Sequence, residues 1–257
     1  MKRYLFKIAY LGSDFYGSQA QTGLKTVEGD VLENLRIVTK LTREELRLGF
    51  SSRTDRGVNA LGNVISVHSD MPGEILLKAL NSISESVFYM SFCEVEEDFN
   101  VRYASSRSYR YVLPKAGLDT GLVRQCGELF VGRHDFRRFC RPDGKGTELT
   151  VNSVSVRESG DVLIIDFNAR YFLWNMIRRT VAAMKAVGCG NSTLDDVRRA
   201  LDGEDMTFGN ARPDALTLLD VDYDWLTFTP ADPRHYCDRK DDGLYSADLR
   251  RTFYESL

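Results

Sequence analysis

The fold can be read outward from residues 51–64, whose sequence is SSRTDRGVNALGNV. The first half of this stretch places Asp55 between two arginines and two positions before Gly57. Glycine accepts backbone angles that other residues resist, so this half is predicted to form a loop. The second half is uncharged and continues into a β-branched run, Val64-Ile65-Ser66-Val67. Such a run favours a strand, so the stretch predicts an acidic side chain on a loop that leads into a strand.

Arg53 and Arg56 flank Asp55, and positive neighbours favour the ionised form of a carboxylate. The sequence therefore predicts that these two arginines hold Asp55 ionised by charge pairing. An ionised aspartate among arginines fits a reactive carboxylate beside a phosphate-binding surface. It also fits a structural ion pair that fixes a turn, because ion-pair networks perturb carboxylates in the same way. The local chemistry by itself favours the structural interpretation.

The composition bounds the class of protein. A chain of 257 residues with 43% hydrophobic and 28% charged residues is neither disordered nor membrane-spanning, and its length suits roughly two domains. Its five cysteines are odd in number, far apart and without a Cys-x-x-Cys pair, which predicts reduced thiols and no zinc site. The three histidines have no metal-ligand spacing. Residues 1–3 lead straight into a strand-like run without an apolar leader, which predicts a cytoplasmic protein.

Positive charge is unevenly distributed along the chain. The formal net charge is −3, but residues 100–145 carry ten Lys and Arg against four Asp and Glu. Residues 191–257 carry eight against fifteen. Binding to a phosphate backbone depends on where positive charge clusters, so residues 100–145 are a candidate nucleic-acid surface. A solvated charged face would have a similar composition.

Residues 1–103 are predicted to form a ferredoxin-like domain. Apolar and β-branched runs predict strands over 3–10, 46–51, 64–68 and 87–90. Apolar residues at helical spacing predict one helix after Thr26, its N-cap, and another over 74–80. The resulting order is β-α-β-β-α-β, which is also the plan of many RNA-binding sheets.

Residues 104–257 are predicted to form a second α/β domain. Tyr109 and Tyr111 lie two apart in a strand and share one face, while Arg110 takes the other. The pattern further predicts a hairpin around 158–161, helices over 173–187 and from 192 or 193 to 201, and a strand over 216–221. The predicted class is α+β, with two ferredoxin-like or RRM-like domains and mainly antiparallel sheets flanking a central basic cleft.

The motif around Asp55 resembles a known one. Arg53-Thr54-Asp55, followed by Gly57-Val58, Ala60 and Asn63-Val64, is similar to the nucleophile motif of tRNA pseudouridine synthases of the TruA type, the pseudouridine synthase I family. Ser52 and Asn59 depart from it, since many members have Gly and His there. Further segments resemble that family over 12–21, where Ser18 replaces a common Trp, and over 98–111, 132–139, 175–179 and 211–218.

The resemblance implies roles for residues that lie far apart in the chain. Asp55 would attack the nucleoside, Tyr109 would stack on the target base, and Arg178 would pair with Asp55. Tyr109 could instead be a core or sheet-surface aromatic, and Arg178 a surface arginine. The candidates for contacts with tRNA phosphates are Arg53, Arg56, Arg102, Arg107 and Arg110.

The resemblance also implies an activity and its partners. The enzyme would be an isomerase, an intramolecular transferase, that converts uridine to pseudouridine at positions 38, 39 or 40 of the tRNA anticodon arm. It would use no cofactor and no metal, bind tRNA without a membrane, and act as a homodimer that shares each tRNA between subunits. The sequence has no phosphate-loop, dinucleotide or metal signature, which agrees with a reaction that needs no redox step.

Two other classes of protein would use some of the same residues. A non-catalytic RNA-binding protein with two RRM-like domains accounts for the aromatics and arginines, but Asp55 would repel phosphate there. A glycosidase also uses an aspartate nucleophile, but usually with a second carboxylate a few ångströms away. No comparable motif in the sequence supplies that second carboxylate.

Overall fold

Strands from both halves of the chain join in one sheet. The computed structural model describes residues 1–144 and 146–257, and the strands within them are β1 (Lys2–Tyr10), β2 (Gly49–Phe50), β3 (Asn59–Ser69), β4 (Val87–Val95), β5 (Ser106–Pro114), β6 (Gly132–Asp135), β7 (Glu148–Ser159), β8 (Val162–Ala169), β9 (Leu216–Asp222) and β10 (Thr229–Pro230). The α-helices are α1 (Val27–Thr39), α2 (Arg43–Leu46), α3 (Gly73–Ile83), α4 (Thr120–Glu128), α5 (Met176–Gly188), α6 (Leu194–Leu201) and α7 (Cys237–Glu255).

The strands follow the order β10-β4-β1-β3-β9-β5-β8-β7-β6, with β2 paired to β3 off this path. Neighbouring strands run antiparallel, apart from the parallel pair of β3 and β9. The predicted α+β class with mainly antiparallel strands is therefore confirmed. Buried side chains of the sheet and of α1, α3, α4, α5 and α6 form one hydrophobic core.

The parallel pair joins the two halves of the chain. Its register places Asn59 beside Thr217 and Ala60 beside Leu218. A second connection is made by β10, which pairs with β4 through Thr229 and Phe92. Because β3 begins directly after the Asp55 loop, the parallel pair fixes that loop relative to the second half of the chain. The division at residue 103 into two domains stays a prediction.

Local capping chemistry corrects one predicted strand. The sequence predicts a strand over 46–51, but Arg43–Leu46 form α2 and only Gly49–Phe50 pair as β2. Thr42 accepts a hydrogen bond from the Glu45 amide, and the Glu45 side chain accepts one from the Thr42 amide. This reciprocal capping box stabilises a helical turn and overrides the strand propensity of the residues that follow.

The start of α5 also differs from its prediction. The apolar pattern predicts a helix from residue 173, but Asn175 has a positive φ of 61° and α5 begins at Met176. Asparagine tolerates this left-handed conformation better than most residues. Leu173 and Trp174 therefore lie in a loop before the helix. The predicted start of α1 is confirmed, because the Thr26 hydroxyl accepts a hydrogen bond from the Gly29 amide.

The C-terminal helix α7 is held at its base. The Arg239 guanidinium donates to the Val87 carbonyl oxygen at 3.0 Å and lies over the Phe88 ring. No residue of α7 is buried, and the sequence did not predict this helix. Among the residues that the structure describes, no helix has the length and hydropathy of a membrane span. The five cysteines are free thiols.

We expect Gly62→Ala to destabilise the protein at the junction of β3 and β9. A Cβ at residue 62 would lie 2.7 Å from the Leu219 carbonyl oxygen and 2.7 Å from Asp220 Oδ1. The backbone oxygen cannot turn aside, so the strands would have to separate. Overpacking of this kind typically costs about 1–3 kcal/mol, which thermal or denaturant unfolding would measure.

Gly243→Ala in α7 is the matched control. A Cβ there would meet no atom within 4 Å, and alanine is favoured over glycine in a helix. Unfolding of Gly62→Ala at the same temperature as this control would contradict the close approach of β3 and β9.

Candidate active site

The Asp55 loop lies between β2 and β3 and is held by the chain segment that precedes α1. The Thr54 amide donates to Ser18 Oγ at 2.8 Å, and the Ser18 amide donates to the Thr54 carbonyl oxygen at 3.0 Å. Ser18 is buried. Ser18, which replaces a tryptophan common in the motif that this segment resembles, thus fixes the backbone next to Asp55.

A buried polar network holds the same loop from below. The Tyr10 hydroxyl lies 2.8 Å from Thr54 Oγ1, and Asn63 Nδ2 donates to Tyr10 Oη at 3.2 Å and to the Ser52 carbonyl oxygen at 3.0 Å. Burial raises the pKa of Tyr10, so its hydroxyl stays protonated at neutral pH. A buried network whose members are hydrogen-bonded to one another favours a single loop conformation.

Residues after Asp55 tie the loop to the second half of the chain. Gly57 has a φ of +87°, as its place in a predicted turn requires. Asn59 Oδ1 accepts from the Gly12 amide at 2.9 Å, and Asn59 Nδ2 donates to the Asp214 carbonyl oxygen at 2.9 Å. The asparagine that departs from the family motif therefore bridges the two halves of the chain.

The structure brings Asp55 and Arg178 together. Arg178 Nη1 lies 3.2 Å from Asp55 Oδ2, although the two residues are 123 positions apart. The guanidinium is held in turn, because Arg178 Nε donates to the Ala211 carbonyl oxygen at 2.8 Å and Nη1 donates to Asn175 Oδ1 at 3.1 Å. The Arg178 side chain is 15% exposed and the Asp55 side chain 33%, so the pair is shielded from water on one side and open on the other.

The predicted charge pairing of Asp55 with its sequence neighbours is wrong. Arg53 is exposed, and Arg56 lies over the Tyr16 ring at 4.2 Å. Within residues 1–144 and 146–257, the ion pair of Asp55 is with Arg178. Side chains adjacent in a loop point in different directions, so proximity in sequence did not give proximity of charge.

Trp174 is a site residue that the sequence did not reveal. Its indole Nε1 donates to Asp55 Oδ1 at 3.0 Å, so both carboxylate oxygens have a donor. The Arg141 guanidinium lies over its ring, 4.1 Å from the ring centroid. The apolar pattern assigned Trp174 to a helix. The helix-start motif immediately after it was the available signal.

Tyr109 lies on β5 in the wall of the same cleft. It is 8% exposed and meets the Phe172 ring edge to face, with ring centroids 5.3 Å apart. Burial is the largest cause that raises the pKa of the Tyr109 hydroxyl, so it stays protonated at neutral pH. Tyr111 shares this buried face as predicted, while Arg110 on the other face donates to Asp166 at 2.7 and 2.8 Å.

Arg107 is buried and engaged by the protein. Its guanidinium donates to Ser52 Oγ at 2.9 Å, to the Arg102 carbonyl oxygen at 3.0 Å and to the Ser51 carbonyl oxygen at 3.2 Å. Burial lowers its pKa, although the group remains cationic. These contacts favour a supporting role under the Asp55 loop over a phosphate contact.

The side chains described so far surround a cleft of about 650 Å³. Residues of both halves of the chain line it, including Asp55, Tyr109 and Arg178. Three of the predicted phosphate contacts, Arg53, Arg56 and Arg102, line it and are exposed. Arg110 is not in this lining. Across the described residues, no cluster of His, Cys, Asp and Glu could hold a metal ion.

The basic segment 100–145 is less open than its composition predicts. Among the residues of this segment that the structure describes, five basic ones form the ion pairs Arg110–Asp166, Lys115–Glu158, Arg133–Glu148, Arg137–Asp135 and Arg138–Asp205. The free positive charge near Asp55 therefore comes from a few exposed arginines and not from the whole segment.

Comparison with known proteins decides the family. A family profile described as tRNA pseudouridine synthase matches residues 128–224. The tRNA pseudouridine synthase A of Pyrococcus abyssi is 37% identical over 230 residues, which cover 88% of this chain and 86% of that protein. The chain belongs to the tRNA pseudouridine synthase A family. It is therefore an isomerase that acts on uridine in tRNA, and the resemblance seen in its motifs is confirmed.

A second relative has the same family name, and one solved structure shows a weaker similarity. The tRNA pseudouridine synthase A of Thermococcus kodakarensis is 38% identical over 232 residues, 86% of this chain and 85% of that protein. Among solved structures, a Cbf5-Nop10-Gar1 complex aligns with 71% of this chain and 45% of its own chain, at 11% identity and a TM-score of 0.39. A likeness at that TM-score says nothing about the site.

We expect Arg53→Ala and Arg107→Gln to affect different properties. Loss of the exposed Arg53 should lower the slope of log affinity for tRNA against log salt concentration by about one, as for one phosphate contact. Loss of the buried Arg107 should leave that slope unchanged and lower the unfolding temperature, because several buried acceptors lose their donor.

Titrations of tRNA over a salt series and thermal melts of both variants would test this difference. A salt slope that falls by about one in Arg107→Gln, with an unchanged melting temperature, would restore Arg107 as a phosphate contact.

Proposed function

We propose that Asp55 is the nucleophile of the uridine isomerisation and that the targets are uridines 38, 39 and 40 of the tRNA anticodon arm. The observation that supports Asp55 as the nucleophile is the position of its carboxylate. Arg178 and Trp174 both contact the carboxylate, and Asp55 lines the cleft. The positions follow from the family resemblance.

The reaction balances without an oxidant, a reductant or a cofactor. The bond between uracil N1 and ribose C1′ breaks, and a bond between uracil C5 and C1′ forms. The proton on C5 is lost and N1 gains one, so the product is an isomer of the substrate. Asp55 would make a transient ester at C1′ or a transient adduct on the base, and the departure of its carboxylate restores the enzyme.

Arg178 supports this chemistry through its charge. Its guanidinium lies 3.2 Å from Asp55 Oδ2 and faces the carboxylate that would act as the nucleophile. When Asp55 forms a covalent bond, its negative charge is neutralised, and Arg178 then faces a site that has lost an anion. Uracil released as an anion would restore the charge balance in the cleft.

Tyr109 would stack on the target base. A base in a stem must leave its helix to reach an enclosed residue, which costs a few kcal/mol. The cleft of about 650 Å³ can enclose a nucleoside, and Tyr109 is rigidly held by β5 and Phe172. Arg53, Arg56 and Arg102 would contact phosphates at the rim. Arg107 and Arg110 are weaker candidates for phosphate contacts, given their partners within the protein.

Three further features belong to the proposal. Residues 1–103 and 104–257 would be the two domains that flank the cleft, which both halves line. The enzyme would be a homodimer that shares each tRNA between subunits, which sedimentation with and without tRNA would test. It would act in the cytoplasm, as its free cysteines suit a reducing compartment, and localisation of a tagged protein would test this.

We expect Asp55→Asn to abolish pseudouridine formation and to retain tRNA binding. The amide has the size of the carboxylate but lacks the nucleophilic oxygen, and loss of a covalent catalyst typically costs several orders of magnitude in rate. Removal of a negative charge near phosphate should leave affinity equal or slightly higher. Tritium release from labelled tRNA, gel-shift titration and thermal melting would measure the three properties.

Two other results for Asp55→Asn would contradict the nucleophile role. Substantial turnover by Asp55→Asn, free of parent enzyme and of deamidation, would exclude Asp55 as nucleophile. A parallel loss of melting temperature, binding and activity would indicate a structural ion pair instead.

We expect pseudouridine at positions 38, 39 and 40 of an unmodified tRNA transcript. Transcripts with cytidine at one of these positions should lose only the pseudouridine at that position, because cytidine cannot give the same product. Sequencing of the modified sites would measure this. Pseudouridine formed elsewhere, with none in the anticodon arm, would overturn the assignment of positions and leave the role of Asp55 intact.

A further inference from the structure

The side chain of Trp174 occupies an unusual place for a tryptophan. It is 46% exposed, yet its indole Nε1 makes a 3.0 Å hydrogen bond to Asp55 Oδ1. It lies in the loop that joins β8 to α5, one position before the left-handed Asn175. Burial of an apolar surface does not explain this placement, because nearly half of the residue faces solvent.

The indole and Arg178 donate hydrogen bonds to different oxygens of the Asp55 carboxylate. Arg178 Nη1 reaches Oδ2 and Trp174 Nε1 reaches Oδ1, so the two donors hold opposite ends of the group. Each carboxylate oxygen has two lone pairs, and one donor on each leaves one lone pair free. With donors on both oxygens, rotation of the carboxylate about its bond to Cβ is restricted. A single donor would leave that rotation open.

The indole itself is held from the far side. The Arg141 guanidinium lies 4.1 Å from the centroid of its ring, and the Arg141 amide donates to the Trp174 carbonyl oxygen at 2.8 Å. Trp174 lines both the Asp55 cleft and a second depression of about 620 Å³. The ring is therefore fixed by the protein on one face while its N–H points at the carboxylate.

We propose that Trp174 is a positioning residue for the isomerisation: its indole N–H fixes the orientation of the Asp55 carboxylate toward the bound nucleotide. The proposal rests on the proposed role of Asp55 as nucleophile. A nucleophile attacks along a narrow range of directions, so a carboxylate that is free to rotate spends less time in the reactive orientation. The indole is a neutral donor, so it orients the carboxylate without placing a second positive charge beside Arg178.

Trp174→Phe separates this role from others, because it removes the N–H and keeps an aromatic ring beside Arg141. We expect kcat to fall roughly 10- to 100-fold, as for the loss of a hydrogen bond to a charged group. KM for tRNA and the melting temperature should stay unchanged. The matched control is Trp225→Phe, because Trp225 is exposed and lies outside the lining of the cleft. That control should keep both kinetic constants.

A spectroscopic measurement tests the contact without any turnover. The chain has two tryptophans, so in Trp225→Phe the tryptophan emission, excited where tyrosine does not absorb, comes from Trp174 alone. Asp55→Ala in this background removes the carboxylate beside the indole and should shift the emission of the tRNA-free protein. Phe228→Leu in the same background alters an aromatic residue outside the cleft lining and should leave the emission unchanged.

The outcomes distinguish this proposal from the proposed function. If Trp174→Phe keeps full kcat, or raises KM with kcat intact, the positioning role is overturned, and the second result makes the ring an RNA contact. Unchanged emission on Asp55→Ala also overturns it. If Asp55→Asn keeps activity, the proposed nucleophile fails, whatever the emission shows.

Discussion

The parallel pairing of β3 with β9 is the constraint on which the candidate site depends. β3 follows the Asp55 loop, and β9 follows the segment around Ala211. The Ala211 carbonyl oxygen accepts a hydrogen bond from Arg178 Nε, and the Ala211 amide donates one to the Arg178 carbonyl oxygen. Asn59 adds a hydrogen bond from β3 to the Asp214 carbonyl oxygen. A shift of one strand along the other would therefore move the carboxylate away from its guanidinium.

Buried polar groups around the Asp55 loop hold it in place, and so position the Asp55 side chain relative to the paired strands. Ser18 and Asn63 hold its backbone, Tyr10 holds the Thr54 hydroxyl, and Arg107 donates to Ser52. Buried donors and acceptors are costly when unpaired, so each of these contacts opposes an alternative loop conformation. These polar contacts therefore favour one conformation of the loop.

The charged side chains of the cleft differ in whether they are paired within the protein. Four of the eight arginines in residues 100–145 form ion pairs with acidic residues. Arg102 from this segment and Arg53 from the Asp55 loop are exposed and line the cleft. Under the proposed function, the exposed arginines would contact phosphates while Asp55, which is partly shielded beside Arg178, would face the nucleotide. This arrangement would keep the acid away from the phosphates.

The sequence by itself determined the α+β class, the loop before β3, the N-cap at Thr26 and the shared face of Tyr109 and Tyr111, because these depend on periodicity and local backbone preference. It also marked Asp55 and Arg178 through motifs. The motifs also implied that Arg178 pairs with Asp55. Only the tertiary structure showed that Arg53 and Arg56 do not share this ion pair. It also added the hydrogen bond from Trp174 and placed the Arg107 guanidinium against the residues before the loop. Such contacts join residues brought close by strand pairing, and neither periodicity nor spacing along the chain encodes them.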